Sequence, residues 1–157
     1  MNIDLLGYET VVERFRSLRD DLKPRVTAKL AQAAYEKARE GADSHTRPGG
    51  SGNLILSLSL RRDGEAYVIA HDKDVAPYAP FVHWGTGLQG PRRRKYRIPR
   101  EDNTSAKTLR WPTPQGFRFA KWVMHPGIRP DPWMVRAADE VPRQFDRVVR
   151  EVEQQWR

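Results

Sequence analysis

The spacing of apolar residues constrains this chain most, because its period changes twice. In residues 8–41, Tyr8, Val11, Val12, Phe15, Leu18 and Leu22 recur at three- and four-residue steps, which puts them on one face of a helix. Pro24 interrupts the stripe. Either a kink lies there, or a second helix starts with Pro24 in its first turn, where the missing N–H costs nothing. Val26, Leu30, Ala33, Ala34 and Ala38 continue the stripe, and Gly41 is a natural stop. Residues 54–61 alternate instead: Leu54, Leu56, Leu58 and Leu60 point one way, and Ile55, Ser57, Ser59 and Arg61 the other. That is the pattern of a half-buried strand. From Trp133 onward the helical period returns through Met134, Ala137, Val141, Phe145, Val148, Val149, Val152 and Trp156. Asp131 suits the N-cap of this last helix, and Pro132 its first helical position. Pro142 is expected to kink or weaken it.

The segments between are read from turn chemistry. Residues 42–53 are turn-formers and breakers, a flexible connection. Asp63-Gly64 supplies a turn that tolerates positive φ, and residues 65–71 form the return strand of a hairpin. Residues 76–87 are aromatic-rich and too short for an ordinary helix. They predict a single helical turn, or an irregular segment, that docks Tyr78, Phe81, Val82 and Trp84 onto the sheet. Gly85 and Gly87 then release the chain into a long loop, residues 88–109. Residues 109–124 suggest a second hairpin, with PTPQG as its turn. Its return strand has apolar residues on both faces, as if covered on two sides, by a neighbouring subunit for example. Residues 125–132 (HPGIRPDP) form a rigid connector. The expectation is one α+β domain over 1–157, with an N-terminal and a C-terminal helix packed on a small antiparallel sheet of four or more strands.

Composition narrows the function classes. The 157 residues include no cysteine, so neither a disulfide nor a thiolate metal site is possible. No apolar run approaches the length of a membrane span, and Met1 to Leu6 lack the pattern of a signal peptide. The cytoplasm of whatever cell makes the chain is therefore its expected location, with no membrane partner. Four histidines, His45, His71, His83 and His125, lack the close spacing of metal ligands, and no His-Glu-x-x-His helix is present. No Gly-x-Ser-x-Gly elbow appears, and the acids lie in polar turns or among arginines. No enzyme, metal or cofactor is expected. The net charge of +8 favours a polyanionic partner. Its densest part is PRRRKYRIPR (91–100), where Arg92, Arg93, Arg94 and Lys95 are consecutive. This stretch could follow a phosphate backbone, with Tyr96 available for stacking; it could equally meet an acidic protein or water.

Three segments, in order, carry a resemblance. SGNLILSLSL (51–60) is a Gly-x-Leu-x-x-Ser stretch after a flexible loop. APYAPFVHWGTG (76–87) is similar to Tyr-Ala-x-x-Val-Glu-Phe-Gly-Thr. VMHPGIRPDPWMVRAADE (123–140) matches His-Pro-Gly-x-x-Pro-x-Pro-Phe-Leu followed by an alanine-bearing helix. Together they resemble the neck or tail-completion proteins of long-tailed bacteriophages, across roughly residues 51–140. His83 stands where that family has Glu, Trp84 and Trp133 where it has Phe, and the 88–109 loop is longer and more basic.

The resemblance implies a structural virion protein of the head–tail junction. Copies would form a homo-oligomeric ring, expected to be a hexamer, between the head-completion or adaptor protein and the tail terminator or tail tube, with DNA passing through the lumen. Tyr78, Phe81, Trp84, Gly85 and Thr86 would form a close-packed aromatic corner. His125, Pro126, Gly127, Pro130 and Pro132 would fix how the last helix leaves the sheet. Trp122 or Trp133 would lie near a subunit contact. Ordinary turn chemistry within one subunit explains the same residues. Alternatives are a tail terminator or minor tail protein, and a nucleic-acid-binding module using the 91–100 loop.

Overall fold

The computed structural model describes residues 8–45, 51–99 and 108–155. The chain is α+β and divides into two compact units: residues 1–79 with 132–157, and residues 80–131.

The first unit is built on three helices. Helix α1 (Tyr8–Arg16) and helix α2 (Lys23–Asp43) are separate, and Pro24 lies in the first turn of α2. Helix α5 (Trp133–Gln154) runs the length of the C-terminal segment. Leu22, Val26 and Leu30 pack with Phe145, Val148 and Val152 of α5, and half-buried Val11, Phe15 and Leu18 close one side. Full burial of each such side chain contributes about 1.5–3 kcal/mol, so this seam dominates the stability of the unit. At its rim Arg14 pairs with Asp146, and Lys29 lies 3.6 Å from Glu151. Pro142 leaves α5 unbroken. Packing of the apolar stripe on both sides of the proline offsets the one backbone hydrogen bond it removes.

Two local expectations are corrected here. Asp131 is not the N-cap of α5: Pro132 takes that position, with no side-chain cap. The N–H of Asp131 donates instead to the Val82 carbonyl at 3.2 Å. Nor does Gly41 stop α2, which continues to Asp43.

The alternating leucines do not all lie in one strand. Gly52, at φ 67°, opens a single helical turn, α3 (Asn53–Leu56), and strand β1 (Leu58–Asp63) starts only afterwards. Leu54 and Leu58 are buried while Leu56 is 72% exposed. A four-residue step satisfies Leu54 and Leu58 as well as alternation does, and the left-handed glycine decides between them. Strand β2 (Ala66–His71) pairs antiparallel with β1, from Leu58 opposite His71 to Asp63 opposite Ala66. The two-residue turn is Gly64-Glu65, with Gly64 at φ 60°.

The second unit begins within helix α4 (Ala79–Trp84) and holds two ribbons. Strand β3 (Tyr96–Pro99) pairs with β6 (Trp122–His125), and β4 (Leu109–Thr113) pairs with β5 (Gly116–Ala120). The 88–109 stretch is therefore not one loop, since β3 lies inside it; residues 100–107 are outside the described residues. The return strand of the 109–124 hairpin also ends early, because the chain changes partner at Lys121. Among the described residues the six strands form three two-stranded ribbons rather than one continuous sheet.

Candidate interaction surface

Two of the motif segments meet within the second unit. The Thr86 N–H donates to the Ile128 carbonyl at 3.0 Å, and the Leu88 N–H to the Pro126 carbonyl at 2.7 Å. The Ile128 N–H donates to Thr86 Oγ1 at 3.1 Å, and the Gly127 N–H to His125 Nδ1 at 3.0 Å. Gly-Thr-Gly and His-Pro-Gly thus form one backbone clasp. The glycines are required by space. A Cβ on Gly85 would sit 2.8 Å from the Ile128 carbonyl and 2.9 Å from Pro130 Cδ. A Cβ on Gly127 would overlap the Thr86 carbonyl, and one on Gly87 the Pro126 carbonyl. All three have positive φ: 71°, 62° and 98° for Gly85, Gly87 and Gly127. Gly85 and Gly87 therefore lock the chain rather than release it into a loop.

The aromatic residues around this clasp do not dock as expected. Tyr78, Phe81 and Trp84 are exposed, Phe81 by 60%. Ala76, Ala79 and His83 are buried in their place. On so short a helix Ala79 and His83 share a face, four residues apart, and Phe81 falls on the other. The His83 and Trp84 rings meet edge to face at 4.4 Å. Trp133 is not at a surface at all. It is 1% exposed in the first unit, against Gly41, with the His71 ring 5.6 Å away edge-on. Trp122, by contrast, is half exposed. Pro126 and Pro130 are exposed and Pro132 half-buried.

The two ribbons of the second unit repeat one arrangement. In β3–β6, Arg97 lies opposite Met124, and its guanidinium lies over the ring of Trp122, two residues back, at 5.0 Å. In β4–β5, Arg110 lies opposite Phe119 and lies over Phe117, again two residues back, at 3.8 Å. Each ribbon thus shows one face made of an arginine, an aromatic ring and a further apolar residue. Phe117, Phe119, Trp122 and Met124 are all about half exposed or more. No described apolar side chain of residues 80–131 reaches the buried class, whereas the first unit holds the whole buried apolar core.

Charge is divided just as sharply. Residues 80–131 contain eleven of the 28 basic and three of the 20 acidic residues, which leaves seventeen of each elsewhere. The entire excess of +8 therefore belongs to the second unit. Arg92, Arg93, Arg94 and Lys95 are exposed on a turn anchored to the clasp. The Arg93 N–H donates to the Gly90 carbonyl at 3.0 Å, and the Arg94 N–H to the Gly87 carbonyl at 3.1 Å. Arg93 itself adopts φ 46°.

Two features of the first unit were not foreseen. An apolar hollow of about 590 Å³ lies among α1, α2, α5 and β2, lined by Val11, Phe15, Leu30, Ala34, Ile69 and Phe145. Its signal was present only as stripes slightly wider than one partner helix can cover. The other is a polar pair of buried Ser57 and half-buried His71: Ser57 Oγ lies 2.7 Å from His71 Nδ1 and 2.9 Å from the Leu54 carbonyl. When the single hydroxyl proton is donated to Leu54, Nδ1 must donate to Ser57. Burial lowers the His71 pKa from its ordinary value, and the Leu54 carbonyl partly opposes that shift.

The chain matches no family model, no curated protein and no solved structure.

Proposed function

We propose that this chain is a structural virion protein of the phage head–tail junction, a neck or tail-completion component that assembles into a ring and catalyses no reaction. The phage assignment rests on the three motif segments and on their order. The assembly reading rests on one observation: the second unit shows its large apolar side chains outward and buries none among its described residues. A side chain of this kind offers about 150–250 Å². With Phe81, Trp84, Phe117, Phe119, Trp122 and Met124 each about half exposed, one copy presents roughly 500–700 Å² of apolar area, close to the ~800 Å² per partner of a standard interface. Closing a ring takes a heterologous contact, in which two different patches of each copy meet head to tail, so this area would be divided between two contacts per copy.

Imaging of purified particles with the chain traced in density tests this reading. A continuous ring between portal-side and tail-side proteins is the expected result, and the ring's neighbours distinguish a neck component from a tail terminator. A particle that lacks the protein refutes the reading.

A further inference from the structure

We infer that the unit formed by residues 80–131 carries a sequence-independent binding surface for the phosphate backbone of duplex DNA. The inference stands on a single copy of the chain and does not require the ring. Its first support is the segregation of charge. The remainder of the molecule is neutral, so the +8 is a local property of 52 residues and not a general solubility device.

The second support is how the cations are held. Arg92 to Lys95 project from a turn whose backbone is tied to the clasp by two hydrogen bonds. The clasp leaves no room to rearrange: a Cβ on Gly90 would lie 2.7 Å from the Gly85 carbonyl. Arg97, Arg110, Arg118, Lys121 and Arg129 add exposed cations on and beside the ribbons. None of these side chains forms an ion pair with a described residue. Four consecutive like charges repel one another, and a fixed backbone prevents them from dispersing. A polyanion relieves that repulsion.

The third support selects phosphate over other anions and favours duplex over single strand. Most of these cations are arginines, whose planar fork matches a phosphate's two oxygens. Single-strand binding relies on aromatic faces for base stacking. Here the guanidinium groups of Arg97 and Arg110 already lie over the rings of Trp122 and Phe117. One face of each of these two rings is thereby covered, with the guanidinium edges left to phosphate oxygens, while the rings of Phe81, Trp84 and Phe119 stay exposed, so the preference for duplex is decided by the single-strand comparison below. Contacts to phosphate position a protein on the duplex and carry no sequence information, so the surface inferred here is sequence-independent.

The test is fluorescence anisotropy of a labelled random-sequence duplex with the full chain, titrated between 50 and 200 mM salt. Each neutralised phosphate contributes about −0.9 to the slope of log K against log salt. Replacing Arg92, Arg93, Arg94 and Lys95 together by Ala should flatten the slope by about 3.6, a salt sensitivity smaller by roughly 150-fold over that fourfold range. Changing the three arginines to Lys should keep the slope near that of the parent chain. A control that replaces Arg39, Arg61, Lys73 and Arg150 of the neutral unit by Ala should leave it unchanged. Circular dichroism must show all four proteins folded alike. Absence of duplex binding at 50 mM salt overturns the inference. So does equal loss in the control variant, tighter binding to single-stranded DNA, or competition by polyglutamate as effective as by DNA. None of these outcomes touches the ring, which particle imaging decides separately.

Discussion

Gly41→Ala sets two effects of known size against each other. In an exposed helix interior this change stabilises by about 1 kcal/mol, because glycine loses more backbone freedom on folding. Gly41 lies inside α2, where nothing but its surroundings opposes an alanine. Those surroundings are the first residue of α5. The new Cβ would collide with Trp133 Cβ and lie 3.1 Å from Cγ and 3.5 Å from Cα. These atoms are at the root of the side chain, and a rotamer change cannot move them away. Relief requires the two helices to part where Trp133 is 1% exposed. Overpacking of this kind costs about 1–3 kcal/mol. Since the collision involves an atom next to the backbone, the upper part of that range applies, and the net loss should be about 1–2 kcal/mol. For a chain of this size that is a fall in Tm of roughly 2–8 °C. Urea unfolding followed by far-ultraviolet circular dichroism measures it, with an unchanged m-value expected. A variant more stable than the parent by the full helix-propensity gain would refute the close approach of α2 and α5 at this point.

Three further outcomes are expected. His71 has its pKa lowered by burial, so the unfolded chain takes up the proton first as pH falls. Its contribution to stability should be complete above the ordinary value of 6.5 and decline below it; His71→Gln should flatten the stability profile between pH 7 and 5, and an unaltered slope would contradict the assignment. Gly127→Ala forces a Cβ into the Thr86 carbonyl at φ 98°, and should cost more than about 2 kcal/mol of local stability. Hydrogen exchange would report it as lost protection at the Leu88 and Ile128 amides, with the amides of α2 unaffected. Phe117→Asp with Phe119→Asp should leave the circular dichroism spectrum intact but reduce the mass of the assembled species in light scattering. Retention of the assembled mass would remove this ribbon from the interface.

The helices were legible because burial on one side imposes a period that survives in the sequence. Val26, Leu30, Ala34 and Ala38 mark α2, and Ala137, Phe145, Val148 and Val152 mark α5, as both stripes predict. Boundaries were less legible where a single backbone conformation decides. Gly52 turns the leucine run into α3 plus β1, and nothing in the apolar pattern distinguishes that from a longer strand. Pairings distant in sequence were least legible. The partnership of β3 with β6 brings Tyr96 opposite His125, across a separation that no local signal encodes. Candidate residues fared according to their chemistry. The glycines of the two motifs stood out in the sequence, but spacing alone could not show that Gly85, Gly87 and Gly127 pack against one another's segments. Trp133 looked like an interface residue because tryptophan is common at interfaces; its place under Gly41 is visible only in three dimensions.

The contrast between the two units bears on why the second should need a partner. The first has a buried apolar seam, cross-helix ion pairs and no net charge, which is sufficient for a small fold to hold itself together. The second has two-stranded ribbons, and such ribbons are marginal alone because each leaves one face without a covering layer. It has no buried apolar side chain among its described residues to offset the entropy of ordering them. What it does have is a backbone clasp tight enough to exclude a Cβ at four positions, Gly85, Gly87, Gly90 and Gly127, and that clasp holds the basic turn at little cost in apolar area. Such a unit is ordered where contacts are made locally and incomplete where a second surface would be expected. In the proposed ring, covering the ribbons with neighbouring copies would bring together units that each carry +8, and that repulsion would grow as the ring closed. On the two proposals above, apolar burial and charge neutralisation would call on different partners of the same unit: another copy for the first, a polyanion for the second. The two predictions separate cleanly, since the Phe117 and Phe119 substitutions act on assembly and the Arg92 to Lys95 substitutions on salt-dependent binding.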